Sequence, residues 1–169
     1  MRILSKLFLS SIVSLHSVVW AECDSTVAAT TPTERFTEMS NPAILKDANT
    51  GLQWQRCALG ATWTKSAGCS VTDGAQGEYT WGEALVAAQN GWRLPNKKEL
   101  TSIIEYQCRL PALNSQLFPL DSEAMGAVFW TSTPLIYFSQ ATVWGIDFAD
   151  GAFVNRPASE RLQVRLVRD

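Results

Sequence analysis

"GWRLPNKKEL", Gly91 to Leu100, sets an arginine between a tryptophan and a Leu-Pro pair and then supplies the start of a helix. Pro95 biases Leu94 towards extended backbone. Asn96 is placed to cap, and Glu99, three residues on, completes a capping box ahead of Leu100, Ile103 and Ile104. The stretch therefore predicts an extended segment running into a firmly specified helix. Cys108, four residues beyond Ile104, falls on the same apolar face, so a disulfide there would form against the core. Arg93 has two readings. In one, its permanently charged, planar guanidinium donates to a carboxylate and backbone carbonyls and fixes the chain before the helix. In the other, it is a finger that holds a sulfate or carboxylate ligand.

The same grammar recurs upstream. In "YTWGEALVAAQNG" Thr80 and Glu83 form a second capping box, Trp81, Ala84, Leu85 and Ala88 mark one apolar face, and Gly91 supplies the stop. "ILKDANTGLQWQRC" reads as a hairpin whose turn is built by Asp47, Asn49 and Gly51. Asp-x-Asn also opens calcium loops. Here Gly51 falls one place early for an EF-hand and Ala58 stands where the final Glu belongs, so the plain turn is the reading taken. "DSTVAATTPTERF" lacks apolar periodicity and reads as an extended arm fixed at Cys23.

Downstream, "RLPALNSQLFPLDSEAMGA" has two prolines and little periodicity, and reads as a long surface connection. Strand signals then dominate: "VFWTST", "ATVWGIDFADGAFVN" with Asp150-Gly151 at a hairpin turn, and "RLQVRLVRD". Within the second, Trp144, Ile146 and Phe148 share one face and Val143, Gly145 and Asp147 the other. Two helices followed by a β-rich C-terminal half give an α+β domain.

The first 21 residues read as a secretory signal: Arg2 and Lys6, then a short apolar run, then Val19 and Ala21 at the small-residue positions before a cut that would leave Glu22 first. Residues 22–169 then form a single exported domain, periplasmic or at the cell surface, with no membrane span. Removing the signal leaves 12 basic against 16 acidic residues, a net charge of −4. Such a surface repels polyanions, so nucleic acid is set aside as a partner. The only histidine, His16, leaves with the signal. Ser-His-Asp and Cys-His nucleophile systems and histidine metal sites are thereby excluded, and no catalytic residue, metal or cofactor is assigned.

Cys23, Cys57, Cys69 and Cys108 are an even set in an exported chain, which points to two disulfides. Three pairings are open. Cys57 with Cys69, and Cys23 with Cys108, is the preferred one.

"TGLQWQRC", "TWGEALVAA", "GWRLPNKKEL", "FWTST" and "VRLVRD", in that order, resemble the family of the C-terminal domain of the Legionella collagen-like adhesin. The resemblance implies a C-type-lectin-like fold, and in the namesake that domain binds sulfated glycosaminoglycans at the cell surface. This chain departs from the namesake in having no Gly-X-Y stalk and in being net acidic. The Arg-Leu-Pro helix start also resembles that of formylglycine-generating enzymes. Those depend on a C-terminal cysteine pair, and iron-using relatives on histidines; here no cysteine follows Cys108.

The expected function is a non-catalytic binding module contacting glycan or an envelope protein through loops around residues 58–68 and 134–141. The candidate contacts are Trp63, read as exposed within the Cys57 to Cys69 loop, with Tyr137, Phe138 and Arg93. Two alternatives stand beside it. One is a polysaccharide-processing enzyme built on Asp147 and Asp150, the other a structural subunit of a surface assembly.

Overall fold

Two antiparallel sheets, joined by the segment around Arg93, organise the chain in a computed structural model that describes residues 21–71, 77–120, 128–137 and 140–169. In the first sheet β2 (Phe36–Glu38), β3 (Ile44–Asp47) and β4 (Gln53–Gln55) form a meander. The C-terminal strand β11 (Val167–Arg168) lies against β4. The second is a meander of β8 (Val128–Tyr137), β9 (Gln140–Asp147) and β10 (Ala152–Pro157). Two further pairs complete the set: β5 (Ala61–Thr64) with β6 (Gly68–Val71), and β1 (Glu22–Cys23) with β7 (Cys108–Arg109).

The opening decapeptide is the joint. Arg93 exchanges backbone hydrogen bonds with Val167 at 2.8 and 2.9 Å, extending the first sheet past β11. Two residues later the Pro95 carbonyl accepts the Ser132 N–H at 2.7 Å, and the Lys97 N–H donates to Thr133 Oγ1 at 2.9 Å. Both Ser132 and Thr133 lie where the β8–β9 register slips, between Trp130 and Pro134. A bulge of this kind turns groups away from the ladder, and here they receive the start of α2 (Lys97–Thr101).

Both capping boxes form as predicted, Thr80 with Glu83 ahead of α1 (Trp81–Ala87) and Asn96 with Glu99 ahead of α2. Both helices are shorter than predicted. α1 ends at Ala87, and Gly91 (φ 82°) instead sits with Asn90 (φ 56°) in a tight turn that follows. Leu85, expected on the buried face, is 40% exposed because so short a helix buries only Ala84. α2 stops at Thr101 because the hydroxyls of Thr101 and Ser102 take the carbonyls of Lys97 and Glu99 at 2.6 and 2.7 Å. Cys108 is consequently on a strand at the periphery and not on a buried helix face.

Two more expectations are corrected. The N-terminal arm is docked, with Thr31 fully buried, because Glu105 gathers it in: its carboxylate accepts the N–H groups of Thr30 and Thr31 at 2.9 and 2.7 Å. The stretch after Cys108 is no surface connection either. Ala112, Leu113, Leu117 and Phe118 are core residues, and only its last part, 121–127, falls outside the described residues. Isolated apolar side chains entering from an irregular segment leave no periodicity to detect. The "RLQVRL" run, predicted as strand, makes isolated bridges at Leu162 and Gln163 before the two residues of β11.

The β8–β9 part of this sheet is buried on both faces, while the edge strand β10 is largely exposed. Ile146 and Phe148 belong to a cluster with Leu100, Ile103, Phe118 and Phe129, while Val143 packs in a second with Trp130, Val164 and Leu166. Cys23–Cys108 and Cys57–Cys69 are bonded, the pairing preferred from sequence. The architecture is mixed α and β with two helices and two disulfides.

Candidate functional site

Arg93 is committed within the fold. Nη1 and Nη2 reach the two oxygens of Glu99 at 2.7 and 2.9 Å, and Nη2 also donates to Asp169 at 2.8 Å. Hydrogen bonding to Glu99 first, and to Asp169, raises its pKa above the ordinary arginine value. Arg168 lies over the Trp92 ring at 4.5 Å, so the side chains flanking the joint are also held.

Trp63 is placed on β5 directly opposite Cys69, in a hairpin tied to the body by the Cys57–Cys69 bond. It is half-buried where exposure was expected. The Arg56 guanidinium lies over its ring at 4.3 Å, and Arg56 is itself anchored to Glu38 at 3.1 Å. The Trp63 indole nitrogen is buried without a partner. Under this hairpin lies a cavity of about 40 Å³, walled by Leu59, Cys69, Pro119, Leu120 and Gln163 among others. The recess is partly open to solvent, and its inner part is room for a few water-sized species.

Tyr137 is the last residue of β8, backbone-paired with Gln140; Phe138 lies outside the described residues. Trp63 thus lies on β5, Tyr137 at the end of β8 and Arg93 in the segment bridged to β11.

A cluster that sequence reasoning missed lies where α2 crosses β9. The Lys97 ammonium sits 3.7 Å from the centre of the Trp144 ring and 4.2 Å from that of Phe153, which is 45% exposed. The cause is topological. Trp144, Ile146 and Phe148 share a face, but α2 covers only the Ile146 end, leaving Trp144 beside the first residue of the helix. Phe153 joins from the edge strand through its pairing with Ile146. Alternation on β10 carried a signal, since a phenylalanine on an edge strand opposite a buried position marks the rim of a core.

The carboxylates considered for hydrolysis are engaged in turns: Asp147 Oδ1 accepts the Ala149 N–H at 2.8 Å and Asp150 Oδ1 the Ala152 N–H at 2.9 Å. Asp47, considered for calcium, is fully buried and bonded to Arg35 Nε at 2.7 Å, Thr50 Oγ1 at 2.7 Å and the Asn49 N–H at 2.9 Å. Among the described residues no group of three or more His, Cys, Asp or Glu is arranged to hold a metal, and no helix is long and apolar enough to cross a membrane.

Compared with known proteins, the chain matches no curated protein. The family model described as Lcl C-terminal domain matches residues 43–168, from the start of β3 to the end of β11. That span takes in the β3–β4 hairpin, both capped helices, the Arg93 joint and the bulged strand that receives it, and the chain belongs to the Lcl C-terminal domain family.

Proposed function

We propose that this chain is an exported, non-catalytic binding module of the bacterial cell envelope that engages a glycan or protein partner through its surface. Two disulfides and membership of a family named for an adhesin domain support export and a binding role. The meeting of N-terminal and C-terminal strands in one sheet is in keeping with the lectin-like fold that the resemblance implies.

The observation that carries the reading is the Lys97–Trp144–Phe153 cluster: an ammonium held over two rings, one of them open to solvent. Aromatic faces stack on the apolar side of a sugar or on a partner's side chains, and a cation beside them adds polar anchoring. Trp63 and the end of β8 at Tyr137 are secondary contacts in this proposal. Glycan-array and envelope pull-down binding by the wild type, lost in Phe153→Ala with an unchanged melting temperature, is the expected outcome. Undiminished binding by Phe153→Ala, Lys97→Gln and Trp63→Ala alike would remove the basis for the site, and turnover of a polysaccharide by pure protein would favour the enzymatic alternative.

A further inference from the structure

The two rings of the exposed cluster already hold a cation, and that cation is the chain's own. Lys97 Nζ stands 3.7 Å from the centre of the Trp144 ring and 4.2 Å from that of Phe153. Strand register builds the pair. Phe153 lies opposite Ile146, which makes it the diagonal neighbour of Trp144 on the same face, and Asn155 stands directly opposite Trp144. Lys97 enters from α2 with its backbone tied by the N–H bond to Thr133 Oγ1 at 2.9 Å, so its ring contacts depend on the flexible side-chain stem alone.

No carboxylate among the described residues pairs with the Lys97 ammonium; the ion pairs there all engage arginines. A primary ammonium is a compact, strongly hydrated ion that gives up water reluctantly for an aromatic face. A quaternary ammonium has no N–H to hydrate and presents methyl groups to the rings, which is why aromatic cages select it. Such a group can take the place of Lys97 Nζ. Phe153 is 45% exposed and Asn155 is exposed, so the ring pair is open along the edge strand. The displaced ammonium stays on its stem beside the rings, within reach of an anion carried a few atoms from the quaternary nitrogen. Phosphocholine has that arrangement.

We propose that Trp144 and Phe153 form a site for the quaternary ammonium of a phosphocholine group, with Lys97 as a resident occupant that is displaced and then pairs with the phosphate. This rests on the reading of the cluster as the binding surface and names the group recognised there.

Calorimetric titration of the full, oxidised chain with phosphocholine, choline and phosphoethanolamine tests it. Phosphocholine is expected to bind more tightly than choline, which lacks the phosphate, and than phosphoethanolamine, which lacks the methyl groups. Phe153→Ala weakens that binding roughly fivefold or more at an unchanged melting temperature. Lys97→Gln separates displacement from an ordinary contact. It tightens choline roughly threefold to thirtyfold, because no internal competitor remains, and abolishes the preference for phosphocholine over choline. Capture by phosphatidylcholine vesicles marks a lipid as the carrier and capture on a phosphocholine-bearing polysaccharide marks a glycan; either supports the site. Three results overturn the proposal: no phosphocholine binding by wild type and Lys97→Gln, undiminished binding by Phe153→Ala, or choline held no more tightly by Lys97→Gln than by wild type. Glycan or envelope-protein binding that Phe153→Ala abolishes, while phosphocholine neither binds nor competes, overturns the phosphocholine site and leaves the binding surface standing.

Discussion

Arg93 and Glu99 form a two-pronged pair, Nη1 to Oε2 at 2.7 Å and Nη2 to Oε1 at 2.9 Å, and Glu99 Oε2 also accepts the Asn96 N–H at 2.7 Å. One carboxylate thus closes the capping box and clamps the residue whose backbone extends the first sheet. The Arg93 side chain is 38% exposed, so solvent screens part of the attraction. Arg93→Ala is expected to cost about 1–2 kcal/mol, and Arg93→Lys to recover less than half of that, because an ammonium cannot fork onto both oxygens. Urea midpoints of the three proteins check this; equal stability of the Lys variant and wild type would show that charge alone matters.

Acid should loosen the N-terminal arm. Burial tends to raise the Glu105 carboxyl, but the N–H groups of Thr30, Thr31 and Gln107 and the Thr31 hydroxyl outweigh it and hold the pKa below the ordinary value. At Asp47 burial is likewise outweighed, by Arg35, Thr50 and the Asn49 N–H. With folded values below unfolded values of about 4.3 and 3.9, the stabilisation is complete above pH ~5 and is lost as pH falls through that range towards the folded values. Stability measured from pH 7 to pH 3 is expected to be level and then to fall. In Glu105→Gln and Asp47→Asn the fall is shallower, from a start about 2–3 kcal/mol lower.

The pattern of what could be read in advance follows from where structural instructions are written. Caps, turns and strand alternation are local, so Thr80–Glu83, Asn96–Glu99, the Asp47 turn and the β9–β10 hairpin were legible residue by residue. The packing of Phe118 on Phe36 and the docking of Thr31 on Glu105 join residues far apart in sequence, and nothing local announces them. The candidate surface was harder still. Nothing local in the sequence links Lys97, at the start of α2, to Trp144 and Phe153 on β9 and β10; the fold brings them together. Arg165 lies in a run read as strand that forms only isolated bridges, and it is fully buried there.

The two disulfides should contribute unequally. Cys23–Cys108 closes a separation of 85 residues and Cys57–Cys69 one of 12. In the chain-entropy account these are worth ~4.5 and ~3 kcal/mol. Cys23→Ser with Cys108→Ser is therefore expected to lower the melting temperature more than Cys57→Ser with Cys69→Ser. The second pair of changes should instead weaken protection of the β5–β6 hairpin in hydrogen exchange, since that bond is its covalent tie to the body. A larger global loss from the short loop would mean that native packing around Trp63, not unfolded-chain entropy, sets the contribution.

Gly145 and Gly151 separate crowding from crowding combined with backbone strain. A Cβ on Gly145 would stand 2.9 Å from Val128 Cγ1 and 3.0 Å from the Phe129 carbonyl oxygen, in a strand paired on both sides, so neither neighbour can withdraw without opening a ladder. At Gly151 it would meet Ile104 Cγ2 at 2.8 Å, and the residue has φ 80°, where an L side chain is disfavoured. Gly145→Ala is expected to cost about 1–3 kcal/mol by overpacking. Gly151→Ala adds roughly 1 kcal/mol or more for the left-handed backbone. Pairing Gly151→Ala with Ile104→Val should return part of its loss, because trimming Ile104 creates space, whereas Ile104→Val alone is destabilising. Strict additivity of the two changes would mean that the cost at Gly151 lies in the backbone and not in the contact.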